Sequence, residues 1–255
     1  MKNNVIFSAT DRYGATIKLR LLKNGSVSVT VKRNRSPRIS IPKDDLCTLL
    51  RLTHMGKLTD CQWEAEEKFM FSLSDSRRMD DRWQINVHQI RKRISEWVYV
   101  THQDLCDMYE ELAGDKIMSY DQRPKVLPVP RSRVYIDGDG GRVLKFSFGN
   151  AGWLRITSID SCAHRTVCCI TFNEVNTWAA CELINMFVNG KLTTLSMRVD
   201  DKEFFMNKIL GRNGYVALFS LHGKRRSYDA VRAEYGVAVE SLRKFLGQSG
   251  EGESR

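Results

Sequence analysis

From Thr16 to Lys32 the chain changes polarity at almost every residue. Ile17 and Leu19 alternate with Lys18 and Arg20. After Lys23-Asn24-Gly25-Ser26, Val27, Val29 and Val31 alternate with Ser28, Thr30 and Lys32. A period of two puts the two sets on opposite faces of a strand, and Asn-Gly between two such runs marks a hairpin. Ile39 and Ile41 continue the alternation against Arg38 and Ser40. The period then lengthens: Leu46, Leu49 and Leu50 stand at i, i+3 and i+4, and Gly56 closes the run. This predicts a short helix buried along one stripe and ended by a left-handed glycine.

The same succession returns three times. Phe69–Leu73, Trp83–His88 and Trp97–Val100 precede a helix carrying Leu105, Met108, Tyr109 and Leu112 before Gly114. Leu144–Phe148, Trp153–Ser158 and Val167–Phe172 precede one carrying Ala180, Leu183, Ile184 and Phe187 before Gly190. Tyr215–Leu221 and Tyr228–Tyr235 precede one carrying Leu242, Phe245 and Leu246 before Gly247. In places the echo is literal. Asp-Leu-Cys recurs at 45–47 and 104–106, and Gly-Lys-Leu at 56–58 and 190–192. Asp44 and Asn176 stand near helix starts as candidate caps.

The predicted fold is therefore α+β, built from repeated antiparallel strands-then-helix units (ββββα-like). Four copies are arranged as two paired domains. A unit of about 50 residues leaves one apolar sheet face bare and is too small to stand alone, so the units are expected in pairs. Residues 114–133 hold three of the five prolines without clean periodicity. The expected layout is a first β-β-β-α pair at 1–114, a linker at 115–133, a second pair at 134–247 and a disordered tail at 248–255.

A hydrophobic content of 42% with 27% charged residues excludes a wholly disordered chain. No apolar run reaches the ~20 residues of a membrane span, and the start has no signal-peptide core. A soluble protein of the cytoplasm or nucleus is expected, without membrane partners. Seven scattered cysteines read as reduced core thiols. Cys162, His164, Cys168 and Cys169 lie close in sequence but lack paired ligand spacing, so a buried strand is the better reading there than zinc.

Charge narrows the partner. The net +10 points to polyanions and is unevenly spread: residues 1–58 carry +9, residues 59–114 carry −5, and the remainder carries +6. In the first unit the side opposite the aliphatic residues offers Lys18, Arg20, Ser28, Thr30, Lys32, Arg38 and Ser40, with Arg33 and Arg35 in the adjoining loop. Cations supply affinity for phosphate and hydroxyls supply positioning. In the third unit the corresponding face offers Lys145, Ser147, Trp153, Arg155 and Thr157, where Trp beside Arg suits base stacking. Lys224, Arg225 and Arg226 form a basic loop.

The segments Phe146–Asp160 and Ile170–Ile184, with a Trp early in the helix, resemble the Whirly, Pur and positive-cofactor group of single-stranded nucleic-acid-binding proteins. The resemblance implies curved antiparallel sheets carrying basic and aromatic residues, with helices behind. The second unit departs from it: its outer face is Gln84, Asn86 and His88, and only Arg91–Arg93 keep the basic theme. The expected function is non-enzymatic binding of single-stranded RNA or DNA. The alternative is a protein-interaction scaffold, with self-association and protein partners reached through the acidic second unit.

A metal-dependent nuclease is the less favoured reading. Asp137 and Asp139 in a Gly-rich turn are its best ligands, and a turn explains them without an ion. The five histidines show no spacing with Cys or Asp that suggests a triad. No catalytic residue, cofactor or metal is assigned.

Overall fold

The computed structural model describes residues 5–65, 68–76, 82–115, 133–149, 152–223 and 228–247. The chain divides into two compact units, residues 1–122 and 123–255. In the first, strands β1 (Val5–Thr10), β2 (Thr16–Leu21), β3 (Ser26–Lys32) and β4 (Arg38–Pro42) precede helix α1 (Lys43–His54). Strands β5 (Leu58–Ala65), β6 (Phe69–Asp75), β7 (Arg82–Gln89) and β8 (Ile94–Thr101) then precede α2 (His102–Ala113). β1–β4 pair antiparallel in chain order, as do β5–β8.

The second unit contains β9 (Val134–Asp137), β10 (Arg142–Phe148), β11 (Leu154–Asp160), β12 (Arg165–Phe172) and α3 (Glu174–Val188). These are followed by β13 (Leu192–Val199), β14 (Lys202–Gly211), β15 (Gly214–His222), β16 (Tyr228–Glu234) and α4 (Tyr235–Phe245). Here too consecutive strands pair antiparallel.

This content corrects the expected fold class. Strand takes 55% of the described residues and helix 26%. Antiparallel sheets make the bulk of the fold, which conflicts with the expected α+β class of repeated strands-then-helix (ββββα-like) units. The physical reason lies in strands whose two faces are both apolar. In β14, Phe204 and Met206 point inward while Phe205 and Ile209 stand on the other side, so alternation is hidden. β1, β5, β9 and β13 were likewise absent from the periodicity. The segment 116–132 of the expected linker and the tail from 248 lie outside the described residues.

The core of the first unit is made of the inward rows Ile17, Leu19, Val27, Val29, Val31, Ile39 and Ile41 and of Cys61, Trp63, Phe71, Leu73, Ile85, Val87, Val98 and Val100. Leu46, Leu49 and Leu50 of α1 and Leu105, Met108 and Leu112 of α2 are buried, each burial stabilising by about 1.5–3 kcal/mol. The second unit buries Phe146, Phe204, Phe219 and Phe245 in one aromatic cluster, with ring centroids 5.5–6.4 Å apart.

Helix ends explain the literal echoes. Past α1, Gly56 has φ +66°, its N–H donates to the Thr53 carbonyl, and the Lys57 N–H donates to Leu52. Past α3, Gly190 (φ +68°) donates to Phe187 and Lys191 to Met186. This is the same paired closure twice. The Leu of each Gly-Lys-Leu is fully buried as the first residue of the next strand. The stop signal is also a start signal. Asn173, rather than Asn176, caps α3, and Thr101 with Asp104 forms a capping box on α2. Asp44 lies inside the first turn of α1, whose N-cap is Pro42.

Candidate nucleic-acid interface

Register places the polar residues of β1–β4 in rows across one face. Ser8 pairs with Lys18, Lys18 with Thr30, and Thr30 with Arg38. Arg20 pairs with Ser28, and Ser28 with Ser40. Thr10 pairs with Thr16, and Thr16 with Lys32. No Asp or Glu occurs in these four strands. Thr16, Lys18, Arg20, Thr30, Lys32, Ser36 and Arg38 line one open depression on this face. The Nε of Arg20 is buried there without a hydrogen-bond partner. An acceptor-rich ligand supplies what such a face lacks.

Where the β1–β2 and β3–β4 loops meet β8 lies an aromatic cluster that sequence reasoning missed. Tyr13, Trp97 and Tyr99 pack with ring centroids 5.0–6.4 Å apart. Asp11 builds this corner. Its Oδ1 accepts from the Tyr13 and Ala15 N–H groups, and its Oδ2 accepts from the N–H of Tyr99 at 3.1 Å, tying the β1–β2 turn to β8. Buried Glu96 ties the β3–β4 loop to β8 by accepting from the Arg35 N–H at 2.9 Å. The Arg33 guanidinium then rests 4.7 Å above the Trp97 ring, and that of Arg12 lies 4.8 Å from Tyr13. A signal for two of the three rings was present in the sequence. Trp97 and Tyr99 alternate with buried Val98 and Val100, which turns them to the other side of β8.

In the second unit, Tyr135, Lys145, Thr157 and Cys169 form one row, and Ser147, Arg155 and Thr171 the next. Lys145 lies 5.8 Å from the Tyr135 ring. Arg155 is engaged on its own face, where its Nε donates to the Cys169 sulfur at 3.1 Å. Trp153 stands outside β11, in the turn closed by the Gly149 N–H donating to its carbonyl, and is 44% exposed. The far end of the sheet is charge-paired: Arg142 reaches Asp160 at 2.7 Å and Asp229 at 3.4 Å. The Asp160 carboxyl is held below its ordinary range, first by the Ala163 N–H and then by Arg142. The first-unit face is thus the freer of the two. Lys224, Arg225 and Arg226 lie outside the described residues.

The ligand groups weighed in the sequence do not converge. Cys162 is exposed in the β11–β12 turn, Cys168 points inward, and Cys169 lies on the outer face. Asp139 pairs with Arg232 at 3.8 Å. Among the described residues, no helix is long and apolar enough to cross a membrane.

No family model and no curated protein matches the chain. Solved structures that match include the β-propeller domain of the Trilobed protease from Pyrococcus furiosus, at 8% identity and TM-score 0.18 over 85% of this chain and 52% of that one. An acylaminoacyl peptidase from Pyrococcus horikoshii matches at 8% identity and TM-score 0.18, over 91% of this chain and 33% of that one. The WD40 domain of Toxoplasma gondii coronin matches at 7% identity and TM-score 0.15, over 91% and 80%. The chain therefore spans about half or a third of the first two.

The names of these neighbours give a β-propeller domain, a peptidase and a WD40 domain, not the strands-then-helix repeat expected from the sequence. Peptidases stand among them, against the expectation of a non-enzymatic protein. At these TM-scores the likeness carries neither detailed fold nor activity across to this chain.

Proposed function

We propose that this chain is a binding protein whose first unit takes a single-stranded nucleic acid across the outer face of β1–β4. The phosphates would lie on the rows of cations and hydroxyls and the bases against Tyr13, Trp97 and Tyr99. The observation that carries this reading is the registered face itself: Lys18, Arg20, Lys32 and Arg38 among Ser and Thr, with no carboxylate in the four strands. A single strand needs spaced point charges plus flat apolar rings, and both sets lie within one unit. The resemblance to the Whirly, Pur and positive-cofactor proteins belongs to the same proposal. Fluorescence anisotropy with labelled single-stranded RNA and DNA tests it. Binding that tightens as salt falls, with the single strand preferred over duplex, is expected; no binding at low salt refutes it.

A second reading, a protein-interaction scaffold, has its own observation. Leu210 is 76% exposed near the tip of the β14–β15 hairpin, and Tyr215 across from it is 45% exposed. Apolar side chains held out on a rigid hairpin suit insertion into a partner's pocket. Partners that stay bound after nuclease treatment and leave on Leu210→Asp support this reading; partners that leave with the nucleic acid do not.

A further inference from the structure

Helices α1 and α2 meet where one ends and the other begins. His54 is the last residue of α1 and His102 the first of α2, and Cys106 follows His102 by one helical turn. Positions i and i+4 share a helix face, so His102 and Cys106 turn the same way. The Cys106 sulfur lies 3.2 Å from His54 Nδ1, and the two imidazole rings stack with centroids 4.2 Å apart at 25°. One ligand atom from each of the three residues lies within 4.8 Å of the others.

Two imidazoles and a thiol are the donor set of borderline-soft ions. Zinc bound to nitrogen at about 2.0–2.1 Å and to sulfur at about 2.3 Å holds its ligand atoms some 3.3–3.7 Å apart in a tetrahedron. The observed separations approach that figure, and small side-chain rotations close the remainder. His54 and Cys106 are half-buried and His102 is exposed, so the cluster is open to an entering ion and one coordination position faces water. The surrounding field suits a cation: Asp104, Asp107, Glu110 and Glu111 all lie on α2.

We propose that His54, His102 and Cys106 form a three-ligand site for a divalent transition-metal ion of the zinc class, with water as the fourth ligand. Binding breaks the Cys106 S–H bond, forms a metal–sulfur bond and releases the proton to solvent. Two neutral imidazoles, one thiolate and a divalent ion leave a centre of net charge +1. Because its ligands come from two helices, the ion clamps α1 to α2.

The test uses the full chain, reduced and stripped by a chelator, then titrated with Co²⁺ and afterwards with Zn²⁺. One equivalent of Co²⁺ is expected to raise a thiolate-to-cobalt charge-transfer band that Zn²⁺ removes, and Zn²⁺ is expected to raise the melting temperature. Cys106→Ser should abolish the band, while Cys162→Ser, which removes the exposed thiol, should leave it intact. His102→Ala alters an exposed side chain and should weaken Co²⁺ affinity by more than about tenfold, the lower bound for losing an outer-shell partner alone. A missing band, a band that survives Cys106→Ser, or unchanged affinity in His102→Ala overturns the assignment. If Cys106→Ser does not fold, the affinity of His102→Ala decides.

Discussion

Replacing Lys18, Arg20 and Lys32 together with Gln removes three cations from the β1–β4 face while keeping polar stems there. Lys18 and Arg20 are two apart on β2, and Lys32 lies across the sheet from Thr16. Each cation that neutralises a phosphate of a single strand contributes about 0.7 to the slope of log affinity against log salt. Losing three lowers the slope by about 2. Between roughly 50 and roughly 200 mM salt, the parent should then lose about 20-fold more affinity than the variant. The two binding curves converge as salt rises.

Fluorescence anisotropy on a labelled single strand at four or five salt concentrations measures both slopes. Lys18 and Lys32 are exposed and Arg20 is half-buried on the side away from the core, so the melting temperature should move little: exposed changes stay within about 0.5 kcal/mol. An unchanged slope, with fold intact, refutes the assignment of this face. The pair Lys145→Gln and Arg155→Gln should lower the slope by less than about 1.4, because Arg155 is already engaged with Cys169.

Trp97→Ala should weaken single-strand binding by about 1–3 kcal/mol at any one salt concentration without altering the slope, whereas Trp97→Phe retains most of the affinity; titration by anisotropy separates the two effects. Gly56→Ala should destabilise the protein by about 1–2 kcal/mol in urea unfolding. At φ +66° the cost is conformational, since an added Cβ meets nothing within 4 Å. Burial pushes the Cys181 thiol up to about 12, so its alkylation by iodoacetamide should be negligible at pH 8 and keep rising beyond pH 10, while exposed Cys162 reacts first. Peptide mapping of the alkylated protein checks this, and fast labelling of Cys181 near neutrality contradicts the packing of α3.

The four helices were legible because a stripe such as Leu105, Met108 and Leu112 and a closing Gly114 are local facts. The extent of sheet was not, and the fold class went wrong for that reason. β5 follows Gly56 with only Lys57 between, and its first residues look like the end of a helix rather than the start of a strand. The basic rows were readable, since alternation assigns Lys18, Thr30 and Arg38 to one face and hairpin pairing does the rest. Tyr13 was not readable, because its place depends on an Asp11 carboxylate meeting a backbone N–H 88 residues away. His102 and Cys106 at i, i+4 are the half of the ligand pattern that the sequence displays. The other half, His54, becomes a neighbour only through helix packing.

The order of strand pairing also bears on how the protein comes into being. Within each unit the paired strands described are consecutive, so a hairpin can close as soon as its second strand has been synthesised. Contacts of short sequence separation form early and fast. The ties that assemble the aromatic corner are of the opposite kind, spanning 61 residues from Arg35 to Glu96 and 88 from Asp11 to Tyr99. On the ribosome, then, the basic face of β1–β4 can exist well before the aromatic corner. A growing chain would display charge alone at first, and assemble Tyr13, Trp97 and Tyr99 only once β8 has emerged and docked.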